Sequence, residues 1–250
     1  MYELRKIAVS LSKGGTGKTT TAVSLSAGLA TKGYSVLLID ADTQDQVSKY
    51  LDVSPTLSLA EVVSQQAKPE DAITPARDHL YILSGGRALA GVKRLISQKE
   101  FGGEMTLTEA LTPIENEFDY VIVDTSPGWD ALTINVLFYV EEVLSPVSLE
   151  VLTLQGVIEF TKSLTQIQQY HAKLSLKYIL PTFLDRRVKK SEEVLEQLEA
   201  HYDEQLCDPI RYNVRLSEAP GFGQTIFEYA PTSKGAKDYK KLTERIISDG

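Results

Sequence analysis

The chain has 250 residues, a formal net charge of −8, 42% hydrophobic and 24% charged residues, which is enough for a full core; the acidic balance speaks against a dedicated nucleic-acid binder. From His171 onward, however, basic and acidic residues are about equally numerous, so a basic patch in the last third is left open. A single cysteine, Cys207, excludes an internal disulfide, and "MYELRKIAVSLSKGG" turns polar too early for a leader; with no bilayer-length apolar run, a cytoplasmic protein is expected.

In chain order, residues 6–11 ("KIAVSL") read as a strand, followed at once by a glycine-rich loop. A helix over 20–32 carries Ala22, Val23, Leu25, Ala27, Leu29 and Ala30 and is closed by Gly33. A strand at 35–40, a helix at 59–64, a short strand at 80–84 and a helix at 88–98 come next. Residues 100–105 ("EFGGEM") read as a mobile loop. The remainder alternates again: strand 120–124, helix 131–140, strand 143–147, helix 154–174, strand 178–180, then helices 191–202 and 234–247. Near-continuous apolar strands alternating with helices predict an α/β fold: a mostly parallel twisted sheet covered by helices on both faces, with right-handed crossovers. All motifs interleave, so residues 1–250 are expected to form one domain.

"SKGGTGKTT" (residues 12–20) fits the phosphate-loop pattern G-x-x-x-x-G-K-[ST] approximately, in the strand–loop–helix context that the pattern requires. Successive N–H groups of Gly14, Gly15, Thr16 and Gly17, continuing into Lys18, Thr19 and Thr20, can curl around a polyphosphate at the positive end of the helix. Lys18 should reach the β- and γ-phosphates, and the Thr19 hydroxyl should bind Mg²⁺. Asp40 and Asp124 end the runs "VLLID" and "YVIVD"; in a parallel sheet such ends converge on the ligand crevice, where carboxylates hold a metal ion or its water shell. No N-K-x-D guanine motif occurs, so ATP is the expected nucleotide. Adenine is assigned to "LPTFLD" and "RYN", with Thr182 and Asn213 as contacts. On spacing alone, Lys13 is a surplus, solvated loop lysine.

"KGGTGKTT" resembles the deviant Walker A motif, KGGxGK[ST], of the ParA/MinD ATPase superfamily, and the resemblance is nearest to the ParA/Soj branch. "VLLIDADTQ" (36–44), "VDTSPGWDALTINVL" (123–137), "PTFLDRRVKKSEEVLEQL" (181–198) and "NVRLSEAPGFGQTIFEYAPTSKGAKDYKKL" (213–242) match that branch in order. The resemblance implies that Lys13 crosses the interface of an ATP-bound homodimer and touches the partner's phosphates. It also implies that Asp40 orients or activates the attacking water, and that Asp42 lies in a nearby switch. Four positions depart from the family pattern: Thr43 for a proline, Asp45 for a glycine, Ser126 for a proline, and Arg211-Tyr212 for Pro-Arg.

ParA-like dimers bind DNA without sequence preference in the ATP state, and a ParB-like partner stimulates hydrolysis and release. By resemblance, Arg187 and Arg215 fall at DNA-contact positions; Arg186, Lys189, Lys190 and Arg211 lie nearby, and Lys234, Lys237, Lys240 and Lys241 add charge. The expected role is partition of a plasmid or chromosome, from a nucleoid-associated location. One alternative is positioning of a protein cargo such as a carboxysome, although some relatives of that kind lack the signature lysine. Another is a MinD-like membrane ATPase, but "YKKLTERIISDG" offers few bulky apolar residues for insertion, so stable membrane association is not expected and this helix should pack on the core. Amide-forming synthetases share the fold, whereas an iron–sulfur carrier would need interface cysteines that Cys207 alone does not supply. The separated His79, His171 and His201 show no metal spacing, and Trp129 reads as packing beside the switch.

Overall fold

The structure, a computed structural model, describes residues 4–149 and 153–250. Residues 1–3, the start of the stretch read above as too polar for a leader, lie outside them.

The chain runs β1 (Arg5–Val9), α1 (Lys18–Thr31), β2 (Val36–Ala41), three short helices α2 (Gln46–Leu51), α3 (Leu59–Val63) and α4 (Pro69–Ala72), then β3 (Thr74–Arg77) and β4 (Leu80–Leu83). It continues through α5 (Leu89–Gln98), α6 (Thr106–Glu115), β5 (Tyr120–Thr125), α7 (Ala131–Tyr139), β6 (Glu142–Ser148), α8 (Thr153–Gln168) and β7 (Ser175–Thr182). The end is helical: α9 (Lys189–Tyr202), α10 (Val214–Glu218), α11 (Ile226–Tyr229) and α12 (Lys234–Ser248).

The strands form one seven-stranded sheet in the order β3-β4-β2-β5-β1-β6-β7. The parallel, two-faced sheet is as expected: every pairing is parallel except β3 with β4. β3 is absent from the pattern reading because "TPAR" has no apolar run. Its Pro75 is tolerated because the strand sits at an edge, pairing on one side only.

Alternate residues of the same strands feed two cores. Ala8, Leu37, Ile39, Val121 and Val123 face one layer with α3, α5, α6, α7 and α8, whereas Ile7, Val9, Val36, Leu38 and Ile122 face the other with α1 and α12. Leu242 and Ile246 of α12 are buried in that second core against α1, as expected for the last helix.

Sequence reading missed α6. Its Pro113 and three threonines give poor intrinsic helicity; the buried Asn135 of α7 holds it, accepting from Leu107 N at 3.0 Å and donating to Gly103 O at 3.0 Å. The segment 100–105 is therefore anchored at its far end, where residues 103–105 make a 3₁₀ turn, while Phe101 at its tip is exposed. Helix α8 stops at Gln168, with turns carrying the chain to β7.

β1 lies between β5 and β6, and the chain leaves it toward β2 on one side while β5 crosses to β6 on the other. The carboxyl end of β1 is thus the switch point of an open α/β sheet, where ligand crevices form.

Candidate active site

The loop from Ser10 to Gly17 springs from this switch point into α1. Gly17 makes the turn with φ 87°, a left-handed conformation suited to glycine, and α1 begins with no side chain capping its first N–H groups. The loop bounds a cavity of about 620 Å³ that Gly14, Gly15, Gly17, Lys18, Thr19 and Thr20 help to line. Thr16 is buried instead; its carbonyl accepts from the Thr182 hydroxyl at 3.0 Å, which pins the loop to the end of β7. The ammonium of Lys18 donates to Lys13 O at 2.8 Å. Burial lowers the Lys18 pKa, against the pull of Asp124 and Asp42. Lys13, directly before the loop glycines, is exposed.

Asp40 and Asp124 are direct neighbours on paired strands β2 and β5, and both are almost fully buried. Asp40 accepts from Asp42 N at 2.8 Å and from Val47 N at 3.0 Å. Burial pushes its pKa up to about 7 despite these bonds, with Asp45 and Asp42 adding to the rise. Asp124 is held well above the usual carboxylate range by burial and then by the Asp40 charge, against a hydrogen bond from Thr19 and the charge of Lys18. Among the described residues, its Oδ1 has no hydrogen-bond partner. Two adjacent buried carboxylates with an orphaned oxygen, next to a threonine hydroxyl, suit a small hard cation that takes its other ligands from water and phosphate.

Sequence reading singled out none of four further contributors to this site, although one of them, Phe183, falls in the "LPTFLD" segment assigned to adenine. Gly85, just after β4, packs so closely that a Cβ there would lie 2.4 Å from Asp42 O and 2.9 Å from Asp40 Oδ1. Lys93 of α5 and Asp130, the N-cap of α7, both line the cavity and form a 2.6 Å ion pair. Phe183 has φ 59°, a conformation that aromatic residues rarely adopt, and lines the phosphate cavity as well as a smaller neighbour of about 280 Å³. Gly85 carried a sequence signal as part of a Gly-Gly turn, and Asp130 as a capping residue before the helix expected over 131–140; Lys93 carried none, since its meeting with Asp130 depends on long-range packing.

The smaller cavity is lined by Thr182 and Asn213, the residues expected near adenine. The Thr182 hydroxyl is committed to Thr16 O, and Asn213 Oδ1 caps α10 by accepting from Arg215 N at 3.0 Å. Asn213 therefore offers its amide NH₂.

The basic candidates divide. Arg186, Arg187 and Arg211 line a third cavity with Lys234 and Lys241. Arg187 is exposed and doubly bonded to Asp185, at 2.9 and 2.7 Å. Arg211 is clamped to the buried Asp238 of α12 at 2.9 and 2.5 Å, a structural tie. Lys189 pairs with Glu193 at 3.8 Å and Lys190 is exposed, both at the start of α9. Arg215 sits apart on α10, exposed and paired with Glu218 at 2.8 Å.

A family model described as an AAA domain (AAA_31) matches residues 4–178. The chromosome-partitioning ATPase Soj of Thermus thermophilus is 35% identical over 248 residues, covering 98% of this chain and 96% of its own. The chain belongs to the ParA/Soj ATPase family. The chromosome partitioning protein ParA of Caulobacter vibrioides is 32% identical over 253 residues, covering 98% and 94%. Among solved structures, cobyrinic acid a,c-diamide synthase of Mycobacterium smegmatis with bound ADP and magnesium has a TM-score of 0.84 at 29% identity, covering 98% and 94%. Asp45 is one of the four departures from the family pattern. It has a left-handed backbone, φ 50°, and its carboxylate accepts from Ser48 Oγ at 2.7 Å. Among the described residues, no helix is long and apolar enough to cross a membrane.

Proposed function

We propose that this protein is a partition-type positioning ATPase, a single domain over residues 1–250, that binds ATP with Mg²⁺, forms an ATP-dependent homodimer and associates non-specifically with DNA. A ParB-like partner would stimulate hydrolysis and release, and nucleoid association would place the protein in the cytoplasm. The observation that carries the nucleotide reading is the pair Asp40–Asp124 beside Lys18 and Thr19 at the switch point.

In this reading the loop amides and Lys18 hold the β- and γ-phosphates. Thr19 and Asp124, with Asp40 next to them, hold Mg²⁺, which neutralises phosphate charge during transfer. Asp40, kept in place by two backbone N–H groups, orients the attacking water. Lys13, exposed directly before the loop glycines, supplies a cation to the partner's γ-phosphate, a role that Lys18 cannot fill from inside its own loop. The smaller cavity beside Phe183 receives the base, with Thr182 and Asn213 in its wall. Arg187 and Arg215 contact DNA phosphates; Arg186, Lys189 and Lys190 add to the field, and Arg211 positions the groove through Asp238. An ATP-dependent dimer would align two such patches. Lys13→Ala should reduce stimulated turnover by about a thousandfold, and unchanged turnover would remove the lysine from the mechanism.

The deciding experiment is retention on random-sequence duplex DNA with ATP, with ADP and without nucleotide, at low and moderate salt. Binding only with ATP and weaker in salt is the expected result. Equal retention in all three states would overturn the DNA-positioning reading.

A further inference from the structure

The mechanism above leaves one charged pair in the phosphate cavity without a role. Lys93 projects from α5, whose Leu89, Val92 and Ile96 are buried, so the helix that carries it is fixed to the core. Its ammonium lies 2.6 Å from Asp130 Oδ2. Asp130 is already engaged: Oδ1 accepts from Leu132 N at 3.0 Å and Thr133 N at 2.9 Å, capping α7. Ser126 Oγ stands 3.5 Å from the same Oδ2. One carboxylate thus ties together α5, the start of α7 and the loop that follows Asp124. Lys93, Ser126 and Asp130 all line the cavity that Lys18 and Thr19 line.

An ammonium on the wall of an anion-binding cavity, held by one carboxylate that also serves as a helix cap, has a stronger anionic partner whenever polyphosphate is present. We propose that Lys93 is a second, same-subunit phosphate-binding lysine, which shares its charge between Asp130 and the terminal phosphate of a nucleoside triphosphate. This deepens the nucleotide-binding reading and rests on it. A diphosphate leaves Lys93 on Asp130; a triphosphate draws it inward and relaxes the tie on loop 126–130. Helix α7 and its loop then register how many phosphates are bound. Trp129, the only tryptophan, is next to Asp130 in that loop and packs on Phe160 at a ring separation of 5.3 Å, so it reports the change.

The test is calorimetric titration of the full chain with a non-hydrolysable ATP analogue and with ADP, both with Mg²⁺, alongside Trp129 fluorescence. The parent, Lys93→Met and Asp130→Asn are compared after thermal melts show that each is folded. Lys93→Met should weaken triphosphate binding about tenfold while ADP changes little, and its triphosphate fluorescence response should fall to that of ADP. Asp130→Asn keeps a competent helix cap but frees the ammonium, so triphosphate binding should hold or tighten. Weakened triphosphate binding in Lys93→Met with binding held or tightened in Asp130→Asn supports phosphate binding. Equal losses in both, or a Lys93→Met variant that binds both nucleotides as the parent does, would overturn it and leave the nucleotide reading intact. A folded parent that binds neither nucleotide would overturn both.

Discussion

Asp40 and Asp124 sit side by side in a low-dielectric crevice, and their raised pKa values state that the ligand-free fold bears the cost of their charge. A carboxyl whose folded pKa lies above its unfolded value of 3.8 destabilises the ionised fold. The ligand-free protein should therefore gain stability from this pair as pH falls from about 8 through the Asp40 value of about 7. Protons compete with the cation over the same window, so Mg·ATP should raise the melting temperature less at about pH 6 than at about pH 8. An equal rise at both would mean that these carboxylates do not hold the cation. Gly85 belongs to the same scale. With Asp42 O and Asp40 O within 2.8 Å of a Cβ there, Gly85→Ala should cost about 1–3 kcal/mol. The end of β2 would be displaced, so ATP affinity should fall as well, which urea unfolding and calorimetry would show.

At the scale of elements, α6 depends on a neighbour rather than on its own residues. Asn135→Ala removes the acceptor of Leu107 N and the donor to Gly103 O in a fully buried setting. The expected cost is about 2–4 kcal/mol, and hydrogen exchange should quicken first at the start of α6. Protection unchanged in α6 relative to α7 would count against that dependence. The strands behave differently. β2, β4 and β5 are legible from apolar runs alone, because burial on both faces demands such runs. By contrast, β3, whose "TPAR" has one pairing side, and the four-residue α4 and α11 hold too few residues to show a period.

For the whole molecule, the proposed cycle needs a stable ATP-bound state and a way out of it. Asp40→Ala removes the group assigned to the attacking water, and should leave a dimer that persists with ATP in size-exclusion chromatography with light scattering. A monomer under saturating ATP would refute the assignment. Arg187→Glu combined with Arg215→Glu reverses two exposed charges outside the phosphate cavity, so it should abolish DNA retention while ATP affinity is kept. Retention equal to the parent would move the DNA surface elsewhere.

By itself, the sequence determined the phosphate loop, the two strand-end aspartates, the layered α/β plan and the family, because backbone curvature, burial on two faces and charge at strand ends each demand particular residue types at short spacing. The tertiary structure alone decided which groups meet across long separations. It set Asp40 beside Asp124 in register and Gly85 against both Asp40 and Asp42. It tied the Thr182 hydroxyl to the loop carbonyl as a donor and Arg211 to Asp238, contacts that no sequence pattern announces. It also brought Lys93 from α5 to Asp130 on α7, 37 positions away, at the wall of the phosphate cavity. No local pattern encodes such pairs, since they form only when separate helices pack on the same face of one sheet.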